Sequence, residues 1–80
     1  MQLKPMITEK AVMMIEAQNT LTFRTNKHTN KQEIKKEIES LFSVKVDKIR
    51  VVVRGNHKYF YVKLKKNFLA IDLATKMGLI

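Results

Sequence analysis

Apolar residues in the middle of the chain recur every three or four positions. They are Ile34, Ile38, Leu41 and Phe42. This spacing predicts an amphipathic helix over residues 30–43 with these four side chains turned inward. Asn30 is suited to begin the helix because, with Glu33, it forms an N-x-x-E capping box.

A period of two replaces the helical period over residues 44–65. Apolar and polar positions alternate on both sides of Gly55-Asn56, a pair typical of two-residue turns, so the segment predicts a β-hairpin. The alternation changes phase at Asp47-Lys48, which predicts a bulge. One face of the hairpin is apolar. The other face is predicted to present Arg50, Val52, Arg54, Tyr61, Lys63 and Lys65.

Two further helices are predicted near the ends of the chain. Thr8 is a favourable N-cap for a helix over residues 8–17, and Ile7 and Val12 are spaced as a hydrophobic staple around it. A last helix is predicted over residues 69–77, followed by a glycine.

The remaining segments complete the order of elements. Leu21 and Phe23 alternate with polar residues as in a strand, and residues 25–29 read as a polar loop. A short strand at residues 2–4 would pair at an edge of the sheet. The order helix, strand, helix, strand, strand, helix predicts one small α+β domain over residues 1–80.

The composition excludes several classes of protein. The chain has 80 residues, of which 45% are hydrophobic, so it can build a modest core. It has no cysteine and two histidines, which excludes disulfides and thiolate chemistry and argues against a zinc site. No apolar run approaches a membrane span and no signal peptide is seen, so membrane insertion is not expected.

The formal net charge of +9 is concentrated in two segments. Residues 48–66 carry seven Lys or Arg and no acid, and residues 21–36 carry five against one acid. A solvated surface kept charged for solubility is the simpler interpretation, but natural surfaces usually mix both signs. The segregation favours a polyanionic partner, and Tyr59 or Tyr61 is placed to stack on an unpaired base.

Recognisable catalytic motifs are absent. The only two glycines, Gly55 and Gly78, cannot form a glycine-rich phosphate loop, and Glu37 and Glu39 do not face each other on a helix. We therefore expect no catalytic residue, no metal site and no cofactor. The sequence motif of the RNA-recognition module is also missing. Its absence favours binding through phosphate contacts and RNA shape over recognition of the base sequence.

Three stretches together resemble one known family. Residues 5–11 resemble its P-x-x-T/S-E-K-A opening, and residues 30–46 resemble T-K-x-E-I-K-x-x-V-E-x-L-F-x-V-K-V. Residues 61–64 and 70–74 resemble its closing strand and helix. In this order and spacing they are similar to the universal large-subunit ribosomal protein twenty-three family (uL-twenty-three).

The departures from that family are also informative. Gly55-Asn56 closes the hairpin where bacterial members carry a long basic loop, and the N-terminal extension of eukaryotic members is missing. The chain therefore resembles the compact archaeal type. His57 stands where the family has a lysine, and Asn30 replaces its threonine.

The resemblance implies a fold and a function. The fold would be a three-layer α/β/α domain with a four-stranded antiparallel sheet. The protein would be a cytoplasmic, non-enzymatic component of the large ribosomal subunit that binds domain III of its rRNA beside the peptide exit tunnel. Its partners would be neighbouring ribosomal proteins and, as docking factors, trigger factor, the signal recognition particle and the protein-conducting channel.

The expected site residues combine the charge pattern with the resemblance. The residues expected to contact rRNA are Lys10, Lys31, Lys35, Lys36, Arg50, Arg54, Lys58 and Tyr61. Glu9 aligns with the family's docking glutamate. The alternatives are a small α+β enzyme of the acylphosphatase type, which the missing glycines oppose, and a free-standing basic nucleic-acid-binding module.

Overall fold

A computed structural model of the protein describes residues 4–6, 8–26 and 29–78, and these form an α+β fold. The helices are α1, Glu9–Gln18, α2, Lys31–Phe42, and α3, Ala70–Lys76. The strands are β1, Lys4–Pro5, β2, Thr20–Asn26, β3, Val46–Arg54, and β4, His57–Leu64. The predicted order of helices and long strands is confirmed.

Short polar side chains begin the first two helices, as predicted. The Thr8 hydroxyl oxygen accepts a hydrogen bond from the backbone N–H of Ala11 at 3.1 Å. The Asn30 side-chain oxygen accepts one from the backbone N–H of Glu33 at 2.9 Å, while its amide donates to the Glu33 carboxylate at 3.2 Å. The two bonds to backbone N–H groups satisfy donors that have no partner within the first turn of a helix. The bond between the Asn30 and Glu33 side chains holds the capping residue in place.

The sheet is built on three antiparallel strands, β2, β4 and β3. Across the whole sheet the order is β1, β2, β4, β3, but β1 has only two residues and pairs through Lys4 opposite Arg24. β1 is thus only a two-residue contact at the edge of this three-stranded sheet. β2 runs on to Asn26, two residues into the predicted loop, because its pairing with β4 continues to that point.

The hairpin has the predicted turn and bulge. Gly55 adopts a φ of +58° in the turn between β3 and β4, a conformation that glycine reaches without a steric penalty. The pairing shifts by one residue between Val46 and Lys48, so Asp47 is the extra residue of the bulge.

The two faces of the sheet differ in chemistry. Leu21 lies opposite Val62 and Phe23 opposite Phe60, and all four are buried. Directly opposite residues share a face, so this is the core face of the sheet. The helices contribute six of the remaining buried residues of the core, namely Ile15 from α1, Ile34 and Ile38 from α2, and Ala70, Leu73 and Ala74 from α3.

The apolar residues of α2 that were predicted to face inward are not all buried. Ile34 and Ile38 are fully buried, Phe42 is half-buried against the core, and Leu41 is 62% exposed. Leu41 lies two turns after Ile34 on the same side of the helix. Leu41 therefore lies on a part of the last turn that is open to solvent, while Phe42 next to it packs against the core. The prediction that Leu41 is inward was wrong, and Phe42 borders the core instead of filling it.

Three expectations lie wholly or partly outside the described residues: the staple contact of Ile7, the strand at residues 2–4 and the loop at residues 25–29. Among the described residues, no helix is long and apolar enough to cross a membrane. Within the same part of the chain, no three His, Cys, Asp or Glu side chains come together as a metal site.

Candidate nucleic-acid interface

The face of the hairpin opposite the core face is strongly basic. Arg50 lies opposite Tyr61, and Lys48 lies opposite Lys63 on the same face. Like charges directly opposite each other repel, and residues 48–66 contain no acid to offset them. A polyanion bound on this face would remove that repulsion.

Helix α1 covers part of this basic face and leaves a cleft beside it. The helix packs on β2, so β3 and much of β4 are left open next to it. We call the resulting cavity, of about 610 Å³, the α1 cleft. It is lined by Glu9, Lys10, Met13, Met14, Ala17 and Gln18 of α1 and by Arg50, Val52, Arg54 and Tyr61 of the hairpin.

A smaller cavity lies against the same part of the sheet. This inner pocket, of about 210 Å³, is lined by Met6, Thr8, Lys10, Ala11, Met14, Thr22, Arg54, Tyr59 and Tyr61. It shares Lys10, Met14, Arg54 and Tyr61 with the α1 cleft. The two cavities therefore adjoin each other, with cations and an aromatic ring common to both.

The α1 cleft brings together half of the predicted rRNA-binding set. Lys10, Arg50, Arg54 and Tyr61 come from two segments that are forty residues apart in sequence. All three cations are exposed, and Glu9 is the one acidic residue among the described residues that line the cleft. The excess of positive charge suits a phosphate backbone.

A second basic group lies on α2. Lys31 and Lys35 line a cavity of about 220 Å³ together with Lys48 at the start of β3. Lys36 is exposed on the same helix but lines none of these three cavities. The structure thus separates the predicted lysines of α2 from the α1 cleft.

Lys58 stands apart from both groups. It lies opposite Thr25 on one side and Val53 on the other, so it belongs to the core face of the sheet, not the basic face. Its ammonium group donates a hydrogen bond to the backbone oxygen of Thr29 at 2.8 Å. This bond connects β4 to the segment that leads into α2.

Three residues outside the predicted set also line these cavities and bear on their chemistry. Met13 is 66% exposed, Met14 is half-buried, and Thr22 is buried beneath α1. Strand alternation places Thr22 on the polar face. However, only the packing of α1 on β2 turns that polar position into the lining of a pocket.

A small α+β domain with clustered cations beside an open sheet face has the charge distribution that is typical of nucleic-acid-binding modules. The sequence model of the family described as ribosomal protein L23 matches residues 1–70. The chain is 38% identical over 77 residues to large ribosomal subunit protein uL23 of Picrophilus torridus, covering 96% of this chain and 94% of that protein. It is 43% identical over 77 residues to large ribosomal subunit protein uL23 of Trypanosoma brucei brucei, covering 95% of this chain and 47% of that protein.

The chain therefore belongs to the ribosomal protein L23 family. It spans nearly the whole Picrophilus relative but about half the length of the trypanosomal one. Membership makes it a non-enzymatic ribosomal protein, so the acylphosphatase alternative is excluded. Homologues in this family are components of the large ribosomal subunit in the cytoplasm.

Proposed function

We propose that this protein is a structural component of the large ribosomal subunit that binds its rRNA through the α1 cleft. The observation that carries the proposal is the convergence of Lys10, Arg50, Arg54 and Tyr61 on one cleft of a domain in the ribosomal protein L23 family. The proposed target is domain III of the large-subunit rRNA beside the peptide exit tunnel.

Phosphate contacts would supply most of the affinity. The three exposed cations of the cleft can each neutralise a phosphate, and arginine can do so with two parallel hydrogen bonds. Lys31, Lys35 and Lys36 on α2 would contact a second stretch of rRNA or a neighbouring ribosomal protein. Lys58 is the weakest member of the set because its ammonium group already donates to Thr29.

Glu9 is the proposed docking residue for nascent-chain factors. It is exposed in the first turn of α1 and lies at the α1 cleft, where it can meet a basic protein surface. The proposed partners are the signal recognition particle and the protein-conducting channel at the tunnel exit. Because Lys10 lines the same cleft, factor docking and rRNA binding would take place next to each other.

The proposal includes a four-stranded sheet with helices on both of its faces. The two-residue β1 would count as the fourth strand of the sheet, with α1 on the basic face and α2 on the core face as the outer layers. The position of α1 beside Thr22 and Tyr61, and of Ile34 and Ile38 in the core, supports this arrangement.

Two measurements test the proposed function. Sedimentation of a lysate should place the protein with large subunits. Titration of the purified protein with a domain III rRNA fragment should show log K falling with log salt. The slope should be roughly −3 if only the three cations of the cleft each neutralise one phosphate, and roughly −5 if Lys31, Lys35 and Lys36 contact the fragment as well. A slope near zero, or sedimentation apart from large subunits, would contradict the proposal.

A further inference from the structure

We infer that the inner pocket receives one unpaired RNA nucleobase, which stacks on Tyr61 and accepts a hydrogen bond from, or donates one to, the Thr22 hydroxyl. The phosphates on either side of that nucleotide lie at Arg54 and Lys10. This inference rests on the proposed function, because it assigns to a protein that binds rRNA a specific place for one base.

The Thr22 hydroxyl is the first observation behind the inference. Thr22 is only 8% exposed, and its hydroxyl oxygen has no hydrogen-bond partner among the described residues. A buried hydroxyl without a partner is destabilising, and the few that occur in native proteins usually have a functional explanation. Thr22 lines the inner pocket, where a ligand can supply the missing bond.

The lining of the pocket is the second observation. Tyr59 and Tyr61 are the only two tyrosines of the chain, and both line it. They lie two residues apart on one strand and so point to the same face of the sheet. Met14 lies on the α1 side of the pocket, where its flexible thioether suits contact with an aromatic ring. A planar base fits between a tyrosine ring on one side and a methionine on the other.

The positive charge of the pocket lining favours a nucleotide over a basic peptide as the occupant. Lys10 and Arg54 are common to the inner pocket and the α1 cleft, and Arg50 lies beside them in the cleft. Glu9 lines the α1 cleft but not the inner pocket, so no acidic side chain lines the pocket among the described residues. A base with two flanking phosphates matches an aromatic pocket between two cations, while a basic peptide would meet repulsion there.

Thr22→Val tests the hydroxyl, and Thr20→Val is its matched control. Both residues are buried on the same strand and face, but the Thr20 hydroxyl donates to the backbone oxygen of Gln18 at 2.9 Å and lines neither cavity. Thr22→Val should raise the denaturant midpoint and weaken binding to a domain III rRNA fragment roughly five- to tenfold. Thr20→Val should lower the midpoint and leave the affinity of the folded protein unchanged.

Tyr61→Leu and fluorine NMR test the stacking. Tyr61→Leu should weaken binding to the fragment roughly tenfold or more, while binding to a blunt RNA duplex without unpaired nucleotides should change little. Protein labelled with 3-fluorotyrosine gives two resonances because the chain has two tyrosines. The Tyr61 resonance, assigned with Tyr59→Phe, should shift with the fragment and stay in place with the duplex.

The outcomes separate the pocket from the proposed function. If wild type binds the fragment with the expected salt dependence and both Thr22→Val and Tyr61→Leu bind it equally well, the base pocket is overturned and the proposed function stands. If wild type does not bind the fragment at all, both are overturned. If the Tyr61 resonance shifts with a docking-factor peptide and not with RNA, the inner pocket is a protein site and the inference is wrong.

Discussion

The side-chain oxygen of Asn19 accepts a hydrogen bond from the backbone N–H of Ala70 at 2.6 Å. Ala70 is the first residue of α3, and Leu69 before it provides no side-chain cap. Asn19 therefore caps α3 from a position 51 residues earlier in the chain. Its amide nitrogen also donates to the backbone oxygens of Phe68 at 2.8 Å and Leu64 at 3.3 Å. One side chain thus joins the end of α1, the end of β4 and the start of α3.

We predict that Asn19→Gly lowers the free energy of unfolding by about 1–3 kcal/mol, because the loss of three hydrogen bonds outweighs the steric relief at its φ of +52°. Ser43, the C-cap of α2, is the matched control, since it has a similar φ of +54° and is exposed. Ser43→Gly should leave stability unchanged or raise it by up to about 1 kcal/mol. Urea unfolding measures both variants. Equal effects at the two positions would show that the Asn19 bonds contribute nothing.

A second prediction compares two cations of the hairpin that the structure places differently. Arg54→Ala should reduce the magnitude of the salt slope for rRNA binding by about one unit if Arg54 contacts one phosphate. Lys58→Ala should change the slope less, because its ammonium group lies on the core face and donates to Thr29. Affinity measured at several salt concentrations gives both slopes. A larger slope change for Lys58→Ala would restore it as the main phosphate contact.

The burial of α2 leads to a third prediction. Phe42→Ala should lower the free energy of unfolding by about 1.5–3 kcal/mol, less than the roughly 3–5 kcal/mol typical of a fully buried phenylalanine, because Phe42 is only half-buried. Phe60→Ala, at a fully buried position, should reach the full value. Leu41→Ala should stay within about 0.5 kcal/mol because Leu41 is 62% exposed. Denaturant unfolding of the three variants should give this order, and a large effect at Leu41 would contradict it.

The fourth prediction concerns the proposed docking role of Glu9. Glu9→Gln should change stability by less than about 1 kcal/mol, since the side chain is exposed and acts on the helix mainly through its dipole. Binding of a basic docking factor to assembled large subunits should weaken, and more so at low salt, where charges are less screened.

Glu16→Gln is the matched control for Glu9→Gln. Glu16 is exposed on the same helix, so its replacement removes the same charge, but Glu16 does not line the α1 cleft. It should leave factor binding unchanged. If both variants are fully incorporated into subunits and bind the factor as wild type does, Glu9 only helps to begin α1.

The local structure and the sign of the net charge could be predicted from the amino-acid sequence. Caps such as Thr8 and Asn30 act on backbone groups three residues away, so the helix starts could be read directly. The phase change at Asp47-Lys48 revealed the bulge because side chains alternate strictly along a strand. The concentration of lysine and arginine in residues 48–66 predicted a polyanionic partner without any knowledge of the fold.

Which residues share a site depends on how the helices and strands pack together. Lys10 and Arg54 both line the α1 cleft because α1 packs on β2 and leaves β3 open. The spacing of apolar residues along the sequence does not predict this packing. The strand register placed Lys58 on the face opposite Arg54, although the two are four residues apart in one basic hairpin. Burial at the end of α2 and the cap that Asn19 provides for α3 depend in the same way on elements distant in sequence. Local sequence patterns predict the secondary structure that each segment prefers. The composition of a site depends instead on the free energy of packing distant segments together.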